Sequence, residues 1–310
     1  MKWLSTFKKP LSEHSSTLIS ESNELAKHVR SIEIRARRLV GNLLQGQYHS
    51  IFRGTGIEFD ELRAYIPGDD IRTIDWKSWA RTGQPLVRRY REERDLTVLI
   101  AVDISKSLNF GSTGMSKNKL VAELCAVFAL SAIRNTDRVG VILFSGVPQR
   151  FIPASTGSIH LLRIIREVLS AEPEREGTDI AAALKYCTSV YKRKGTLFVI
   201  SDFLDSNYER ELRAAAKRFD IIAICVREPL DRFLPSLGVL CLENAESSEV
   251  FEVDTNSASS KKSYLQAVQS LDNDRTKLFK ELGIYEIKVV PGLDYLPELL
   301  KFFQNFRDSV

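Results

Sequence analysis

The arrangement of hydrophobic and polar positions changes character near residue 94. After that point, continuous runs of apolar and β-branched residues alternate with stretches in which apolar residues recur at helical spacing. Buried strands are predicted at 96–102, 196–200 and 220–226. Helices are predicted at 119–134, 158–169, 180–191 and 208–218. Because apolar strands that alternate with helices form parallel sheets covered on both faces, the pattern predicts an α/β fold with a three-layer, doubly wound, mostly parallel sheet.

Further elements extend this region to its C-terminal end. A hairpin is predicted from strands at 138–144 and 149–152, around Ser145-Gly146, and a second, short hairpin at 237–253. A helix, a strand and a helix are then predicted at 264–282, 285–290 and 296–306. The alternation of strands and helices therefore continues almost to the last residue.

The first 94 residues follow a different pattern. Residues 11–23 are rich in Ser, Glu and Thr and are expected to form a loose tail, whereas 21–44 carry apolar residues at helical spacing with arginines on the other side. Glycines and prolines separate short segments in the rest of this region. We therefore predict three parts, which are an N-terminal tail and helix at 1–44, a small Gly-rich, β-containing subdomain at 45–93, and the main α/β domain at 94–310.

Composition indicates an ordinary globular chain. Its 44 basic and 40 acidic side chains give a formal net charge of +4, which is too mild for a nucleic-acid-binding surface, so no nucleic acid is expected as a partner. The longest apolar stretch, 124–133, is about half of the roughly 20 residues that a membrane span needs. Neither a signal peptide nor a membrane span is expected, and the predicted location is the cytoplasm.

The cysteines agree with a reducing compartment. They are far apart and include no C-x-x-C pair, so neither a disulfide framework nor a zinc site is expected. The four are Cys125, Cys187, Cys225 and Cys241.

Oxygen-bearing side chains follow the ends of two predicted strands. Asp103, Ser105 and Ser107 come directly after the first buried strand, Thr178 precedes the helix at 180–191, and Asp202 follows the second buried strand. Ligands of open α/β sheets lie beyond the carboxyl ends of the strands, so these loops are expected to converge. Two carboxylates and three hydroxyls are hard ligands that suit Mg²⁺, or another divalent cation such as Mn²⁺ or Ca²⁺. A metal held this way can accept a carboxylate from a partner protein as its last ligand.

Each of these residues also has a simpler interpretation. Ser105 and Ser107 are suited to capping turns, Thr178 to capping the helix that follows it, and Asp202 to capping the helix at 208–218. Their common placement at strand ends and their order along the chain favour a metal site over four unrelated caps.

A second acidic group lies in the N-terminal third. Asp69, Asp70 and Asp75 follow a Pro67-Gly68 turn, a pattern that more often caps a short helix than binds a ligand. Under that interpretation, Ile71, Ile74 and Trp76 pack beneath the turn. Asp75 is expected to pair with an arginine of this block, such as Arg53, Arg63 or Arg72, among which the sequence does not choose.

These motifs resemble two known families. Asp103-Ile104-Ser105-Lys106-Ser107, followed by Thr178 and Asp202, resembles the metal-ion-dependent adhesion site of von Willebrand factor A domains. The upstream segments RGTGIEF (53–59), LRAY (62–65) and PGDDIRTIDW (67–76) resemble the hallmark of the domain of unknown function 58 family, and the likeness covers roughly residues 45–306. The resemblance implies that the serine and threonine hydroxyls coordinate the ion and that the aspartates often act through water.

The resemblance also implies a function. The expected activity is metal-dependent protein–protein interaction, as an adaptor that works with a MoxR-type AAA+ ATPase in chaperone-like maturation or stress processes. The chain is therefore expected to be a binding module and not an enzyme.

An Mg²⁺-dependent phosphohydrolase that uses the strand-end aspartates is the alternative. Against it, Ser105 stands where an Asp-x-Asp hydrolase carries its second carboxylate. A general base is also missing from the strand ends, because the histidines fall elsewhere in the chain, at His14, His28, His49 and His160.

Overall fold

The computed structural model describes residues 11–41, 57–92, 96–109, 116–231, 233–243 and 249–307. The strands in these ranges are β1 (Ile57–Ala64), β2 (Leu86–Glu92), β3 (Thr97–Asp103), β4 (Arg138–Phe144), β5 (Pro148–Ser155), β6 (Gly195–Ser201), β7 (Phe219–Val226), β8 (Val239–Glu243), β9 (Val250–Asp254) and β10 (Tyr285–Val289). The helices are α1 (Leu11–Leu39), α2 (Trp76–Thr82), α3 (Lys117–Arg134), α4 (Ser158–Leu169), α5 (Ile180–Val190), α6 (Glu209–Ala216), α7 (Ala258–Glu281) and α8 (Leu296–Arg307).

A six-stranded sheet lies at the centre of the main domain. Its strand order is β10-β7-β6-β3-β4-β5, and all neighbours are parallel except the antiparallel pair of β4 and β5. Every residue of β3 and β6 is buried, as expected for strands covered on both faces. The predicted mostly parallel α/β sheet is thereby confirmed.

Two hydrophobic clusters, one on each face of the sheet, make up the core. Alternate residues of β3 separate into the two clusters, with Ile100 in one and Ala101 in the other. Helices α3, α4 and α8 pack in the first cluster, and α5, α6 and α7 supply residues to the second. This arrangement gives the three predicted layers.

The sheet has a topological switch point beside its central strand. The chain leaves β3, crosses by α3 to β4 on one side, and later returns to place β6 on the other side of β3. The loops that follow β3 and β6 therefore run in opposite directions at the carboxyl edge of the sheet, the place where open α/β sheets bind their ligands.

Several elements differ in extent from their predictions. Helix α7 begins at Ala258 rather than at residue 264, because the side chain of Ser257 caps it by accepting a hydrogen bond from the Ser260 N–H. The second hairpin is present as β8 and β9. In the described ranges, none of the helices combines the length and the apolar character that crossing a membrane requires.

The prediction of a loose tail at 11–23 is wrong, because α1 runs without interruption from Leu11 to Leu39. In the sequence, Leu11, Leu18 and Leu25 are seven residues apart, so the helical spacing of apolar positions extends back to the start of the helix. At its other end, Ala36 and Val40 belong to the same core cluster as α3. The last predicted helical residues, 42–44, lie outside the described residues.

Residues 57–92 form a small antiparallel unit. Strands β1 and β2 pair with each other, and a 3₁₀ turn at Ile71–Thr73 and the helix α2 lie between them in sequence. This is the β-containing segment expected at 45–93, although 45–56 and 93 are outside the described residues. The boundaries of the three predicted parts stay predictions.

The aspartates of this unit cap local structure, as predicted. Asp70 accepts a hydrogen bond from the Arg72 N–H at 3.0 Å, and Asp75 is the N-cap residue of α2. Asp69 binds the guanidinium of Arg63 through both carboxylate oxygens, at 2.7 and 2.8 Å.

Two details of the prediction for this unit are wrong. Asp75 pairs with Arg88 at 2.9 Å and not with Arg63 or Arg72, because β2 brings Arg88 beside the start of α2, and Arg53 lies outside the described residues. Ile74 is buried as expected, but Ile71 and Trp76 are 61% and 58% exposed. The Trp76 ring stacks on Trp79, three residues along the same helix, with 5.2 Å between ring centroids, rather than against the core.

Candidate metal centre

The candidate centre lies at the switch point of the sheet. Asp103 is the last residue of β3, and Asp202 directly follows β6. These two strands are hydrogen-bonded neighbours with Val102 paired to Ile200, so their carboxyl ends lie side by side. The strand order thus brings the first and third predicted loops together.

Asp103 is buried and its two carboxylate oxygens have separate partners. Oδ1 accepts a hydrogen bond from the Ser105 N–H at 2.9 Å, which tightens the turn after β3. Oδ2 accepts a hydrogen bond from the Ser201 hydroxyl at 2.6 Å. The hydroxyl oxygens of Ser105 and Ser107 lie 3.0 Å apart, so all three residues of the D-x-S-x-S motif belong to one group.

Asp202 is equally buried but less completely satisfied. Its Oδ1 accepts a hydrogen bond from the Leu204 N–H at 3.2 Å. Its Oδ2 is buried and has no hydrogen-bond partner among the described residues. Most buried carboxylate oxygens in proteins have a partner, so this oxygen is an atom to which a cation could bind.

Burial makes both carboxylates costly to ionise, and the charge of Asp202 adds to the cost at Asp103. Burial, and then the negative charge of Asp202, raise the pKa of Asp103 to about 7, although hydrogen bonds from Ser201 and Ser105 act against the rise. Burial also raises the pKa of Asp202, against the opposing effects of the nearby Lys117 ammonium, the Leu204 N–H and the Ser107 hydroxyl. A cation bound at these carboxylates would lower the cost of their ionisation.

Thr178 lies in a loop that contacts both of the other loops. On one side, Lys106 of the first loop binds Glu176 at 2.5 Å. On the other side, Asp205, which follows Asp202, accepts a hydrogen bond from the Ile180 N–H at 2.9 Å. The structure therefore joins all three predicted loops at one edge of the sheet, with Thr178 half-buried between these two contacts.

The turn between β4 and β5 is hydrogen-bonded to the loop that contains Thr178. The carbonyl of Ser145 accepts a hydrogen bond from the Asp179 N–H at 2.9 Å, and the Ser145 hydroxyl donates to the Arg175 carbonyl at 3.0 Å. A Cβ added at Gly146 would lie 2.4 Å from the Glu176 carbonyl oxygen, so the close approach requires glycine.

The helix-capping alternatives apply to other residues. The N-cap residue of α5 is Asp179, whose side chain accepts a hydrogen bond from the Ala182 N–H at 2.7 Å, and not Thr178. The N-cap position of α6 is Tyr208, which makes no side-chain cap, and Asp202 bonds within its own loop instead. Capping of a helix therefore does not account for Thr178 or Asp202.

The donor set fits a small hard cation. The described residues contain no group of three or more His, Cys, Asp and Glu side chains placed to hold a metal. The candidate centre instead combines two carboxylates with hydroxyls, a set with little charge that suits an ion which keeps several waters. The unpartnered Oδ2 of Asp202 is the atom that such an ion would satisfy most directly.

Sequence reasoning missed two residues beside the centre. Ser201 bonds Asp103, and its signal in the sequence is a hydroxyl directly after the apolar run 197–200. Lys117, the first residue of α3, is buried and pairs with Asp231. A single lysine at a helix start carries no signal of burial, so the sequence alone could not have identified it.

Comparison with known proteins gives one family and several relatives. The family described as "Protein of unknown function DUF58" matches residues 61–274. Uncharacterized proteins of Mycobacterium bovis and Mycobacterium tuberculosis are each 30% identical over 287 residues, which cover 92% of this chain and 90% of theirs.

The similar solved structures are more remote. The conserved hypothetical protein BatB from Bacteroides thetaiotaomicron is 18% identical with a TM-score of 0.45, over 69% of this chain and 100% of that one. The SpRpn10 VWA domain is 12% identical with a TM-score of 0.37, over 67% of this chain and 94% of that one. Likeness at this level supports no argument about function.

Proposed function

The chain belongs to the DUF58 family, and on this premise we propose that it is a metal-dependent protein–protein interaction module and not an enzyme. The proposed ion is Mg²⁺, or another divalent cation such as Mn²⁺ or Ca²⁺. Its proposed ligands, directly or through water, are Asp103, Ser105, Ser107, Thr178 and Asp202. A carboxylate of the partner protein would complete the coordination shell.

The observation that carries this proposal is the buried carboxylate pair at the switch point. Asp103 and Asp202 are each only 1% exposed, and Oδ2 of Asp202 has no hydrogen-bond partner among the described residues. A buried, unpaired carboxylate oxygen costs free energy, and a second carboxylate nearby increases the cost. A divalent cation would offset both, and the hydroxyls of Ser105 and Ser107, in the loop that follows Asp103, would supply further oxygen ligands.

The partner that we propose is a MoxR-type AAA+ ATPase, as the family resemblance implies. The chemistry required of any partner is an exposed Asp or Glu side chain, because two protein carboxylates leave a divalent ion electrophilic.

The hydrolase alternative receives no support from the described side chains. His160 is buried on α4, and its ring nitrogen lies 2.7 Å from the Val139 carbonyl oxygen, so its side chain is part of the protein interior and not of the centre. The residue two positions after Asp103 is Ser105, whose hydroxyl oxygen lies within hydrogen-bonding distance of the Ser107 hydroxyl oxygen. We therefore propose no catalytic residue.

The test is a binding measurement with the ATPase in Mg²⁺ and in EDTA. We expect binding in Mg²⁺ that EDTA abolishes, and at least about tenfold weaker binding for Ser105→Ala combined with Ser107→Ala, which is about 1.4 kcal/mol. The matched control is Thr188→Ala combined with Ser189→Ala, two exposed hydroxyls that bond carbonyls of their own helix at 2.8 Å. Circular dichroism verifies that both double variants are folded.

Two results would contradict the proposal. One is a folded Ser105→Ala, Ser107→Ala variant that binds the ATPase in Mg²⁺ as tightly as the unsubstituted protein. The other is hydrolysis of p-nitrophenyl phosphate with Mg²⁺ or Mn²⁺ that Asp103→Ala abolishes, since this would identify an enzyme.

A further inference from the structure

A buried ammonium group lies beside the candidate metal centre. The side chain of Lys117, at the start of α3, is 2% exposed, and its Nζ lies 2.8 Å from Oδ2 of Asp231. Lysine is almost never fully buried without a partner, because its charge loses the hydration of water. The position of this charge must therefore be set by the surrounding structure.

The partner of Lys117 belongs to a loop that contacts the centre directly. In that loop, the Nε–H of Arg227 donates to the carbonyl oxygen of Asp202 at 2.9 Å. Four positions later comes Asp231, whose Oδ2 also accepts a hydrogen bond from the Glu228 N–H at 2.8 Å. The 3₁₀ turn at Pro229–Asp231 thus places the Lys117–Asp231 pair against the loop that carries Asp202.

The ammonium of Lys117 and the proposed ion act on the same carboxylate. The positive charge of Lys117 opposes the rise that burial causes in the pKa of Asp202, and Oδ2 of this carboxylate has no hydrogen-bond partner among the described residues. A divalent cation at this oxygen is attracted by the carboxylates and repelled by the ammonium. Inside a protein both effects act at a lower dielectric constant than in water.

We propose that Lys117 is a fixed internal cation that lowers the affinity of the centre for a divalent ion in the free protein. The proposal rests on the proposed function, because it assumes that the centre binds an ion. Asp231 sets the size of the effect, since its negative charge partly offsets that of the ammonium. The free protein then holds the ion weakly, and a carboxylate from a partner supplies the missing negative charge.

The experiment measures Mn²⁺ binding alone, by isothermal titration calorimetry or by the electron paramagnetic resonance signal of free Mn²⁺. Lys117→Met keeps the length of the side chain and removes its charge, so we expect about tenfold or greater tightening of Mn²⁺ binding. Lys119→Met is the matched control, since Lys119 is exposed on the same helix, and its affinity should equal that of the unsubstituted protein.

Two further variants test the proposal even if Lys117→Met fails to fold. Asp231→Asn leaves the ammonium without its partner and is expected to weaken Mn²⁺ binding. Adding Lys117→Met to Asp231→Asn removes both charges, leaves no unpaired ion, and is expected to bind Mn²⁺ more tightly than Asp231→Asn alone.

The outcomes separate this proposal from the one on which it rests. If Mn²⁺ binds but removal of the Lys117 charge changes the affinity in neither background, the inference about Lys117 is wrong and the metal centre stands. If neither the folded unsubstituted protein nor any folded variant binds Mn²⁺, both proposals are wrong.

Discussion

The hydroxyl of Ser201 donates a 2.6 Å hydrogen bond to Oδ2 of Asp103, and so links the ends of the two central strands. The same hydroxyl oxygen accepts a hydrogen bond from the Phe203 N–H at 3.2 Å. One buried serine thereby fixes a carboxylate of the first loop and the backbone of the third.

The first prediction is that Ser201→Ala destabilises the metal-free protein. It leaves one oxygen of a buried carboxylate and one buried N–H without their partner, so we expect a loss of about 1–3 kcal/mol in the free energy of unfolding. Urea denaturation in EDTA measures it. The control is Ser131→Ala, another buried serine, whose hydroxyl only adds a bond to the Val127 carbonyl within α3. Equal losses for both variants would mean that the Ser201–Asp103 hydrogen bond adds no more to the free energy of unfolding than the Ser131 hydroxyl does.

The second prediction concerns pH. The folded protein raises the pKa of Asp103 from its ordinary 3.8 to about 7, chiefly by burial. Between about pH 4 and pH 7 the folded state therefore retains a proton that the unfolded state has lost, so this carboxyl makes stability fall as pH rises through that window. Above about pH 7 the carboxyl of Asp103 is ionised in both states, and the folded state bears the full cost of ionising it in a buried position.

Asp103→Asn isolates this contribution because an amide does not titrate. Urea denaturation of the metal-free proteins at pH 5 and pH 7 should show a smaller decrease for Asp103→Asn than for the unsubstituted protein. The same decrease in both would show that Asp103 is ionised in the folded state throughout this range.

The third prediction compares two arginines that each contact more than one acceptor. Arg227 is buried and binds the carbonyls of Asp202 and Phe203 together with the carboxylate of Asp272, the last at 2.7 Å. Its replacement by Met leaves buried acceptors unpaired, so we expect a loss of about 2–4 kcal/mol in the free energy of unfolding.

Arg213 serves as the control for that measurement. It binds Glu209 and Glu281 at 2.9 Å, but at the surface, where water replaces lost contacts. Arg213→Met should therefore cost much less than Arg227→Met in the same urea denaturation. The reverse order would show that the buried network around Asp202 is not a source of stability.

The fold was largely predictable because short runs of consecutive apolar residues are enough to indicate which strands are buried. After Thr97, strand β3 consists of consecutive apolar residues up to Asp103, and such a run is typical of a strand covered on both faces. The polar residues that end these strands mark the candidate centre for the same reason. The packing of Trp76 was mispredicted because a short helix leaves one of its faces in solvent, and local pattern does not show which face the rest of the chain covers.

The charged surroundings of the centre could not be predicted in this way. Lys117 and Asp231 are more than one hundred positions apart, and only the strand order brings α3 beside the loop after β7. The burial of Lys117 is therefore a property of the tertiary structure. Its sequence neighbours would suit an exposed lysine equally well.

The last prediction uses the close approach of Gly146 to the Thr178 loop. A Cβ at this position would lie 2.4 Å from the Glu176 carbonyl oxygen, and this backbone atom cannot move without its loop. Gly146→Ala should therefore cost about 1–3 kcal/mol in the free energy of unfolding. If Thr178 helps to bind the ion, the displacement should also weaken Mn²⁺ binding in the calorimetric titration.

Gly140→Ala supplies the matched control because the nearest atom to its added Cβ, at 2.9 Å, belongs to the side chain of Leu99 on β3. Gly140 lies within β4, in the body of the sheet, so the variant is expected to lose stability but to bind Mn²⁺ like the unsubstituted protein. Unchanged Mn²⁺ affinity in a folded but destabilised Gly146→Ala would exclude the Thr178 loop from the centre. The ligands would then be confined to the loops after β3 and β6, which the bond between Ser201 and Asp103 holds together without it.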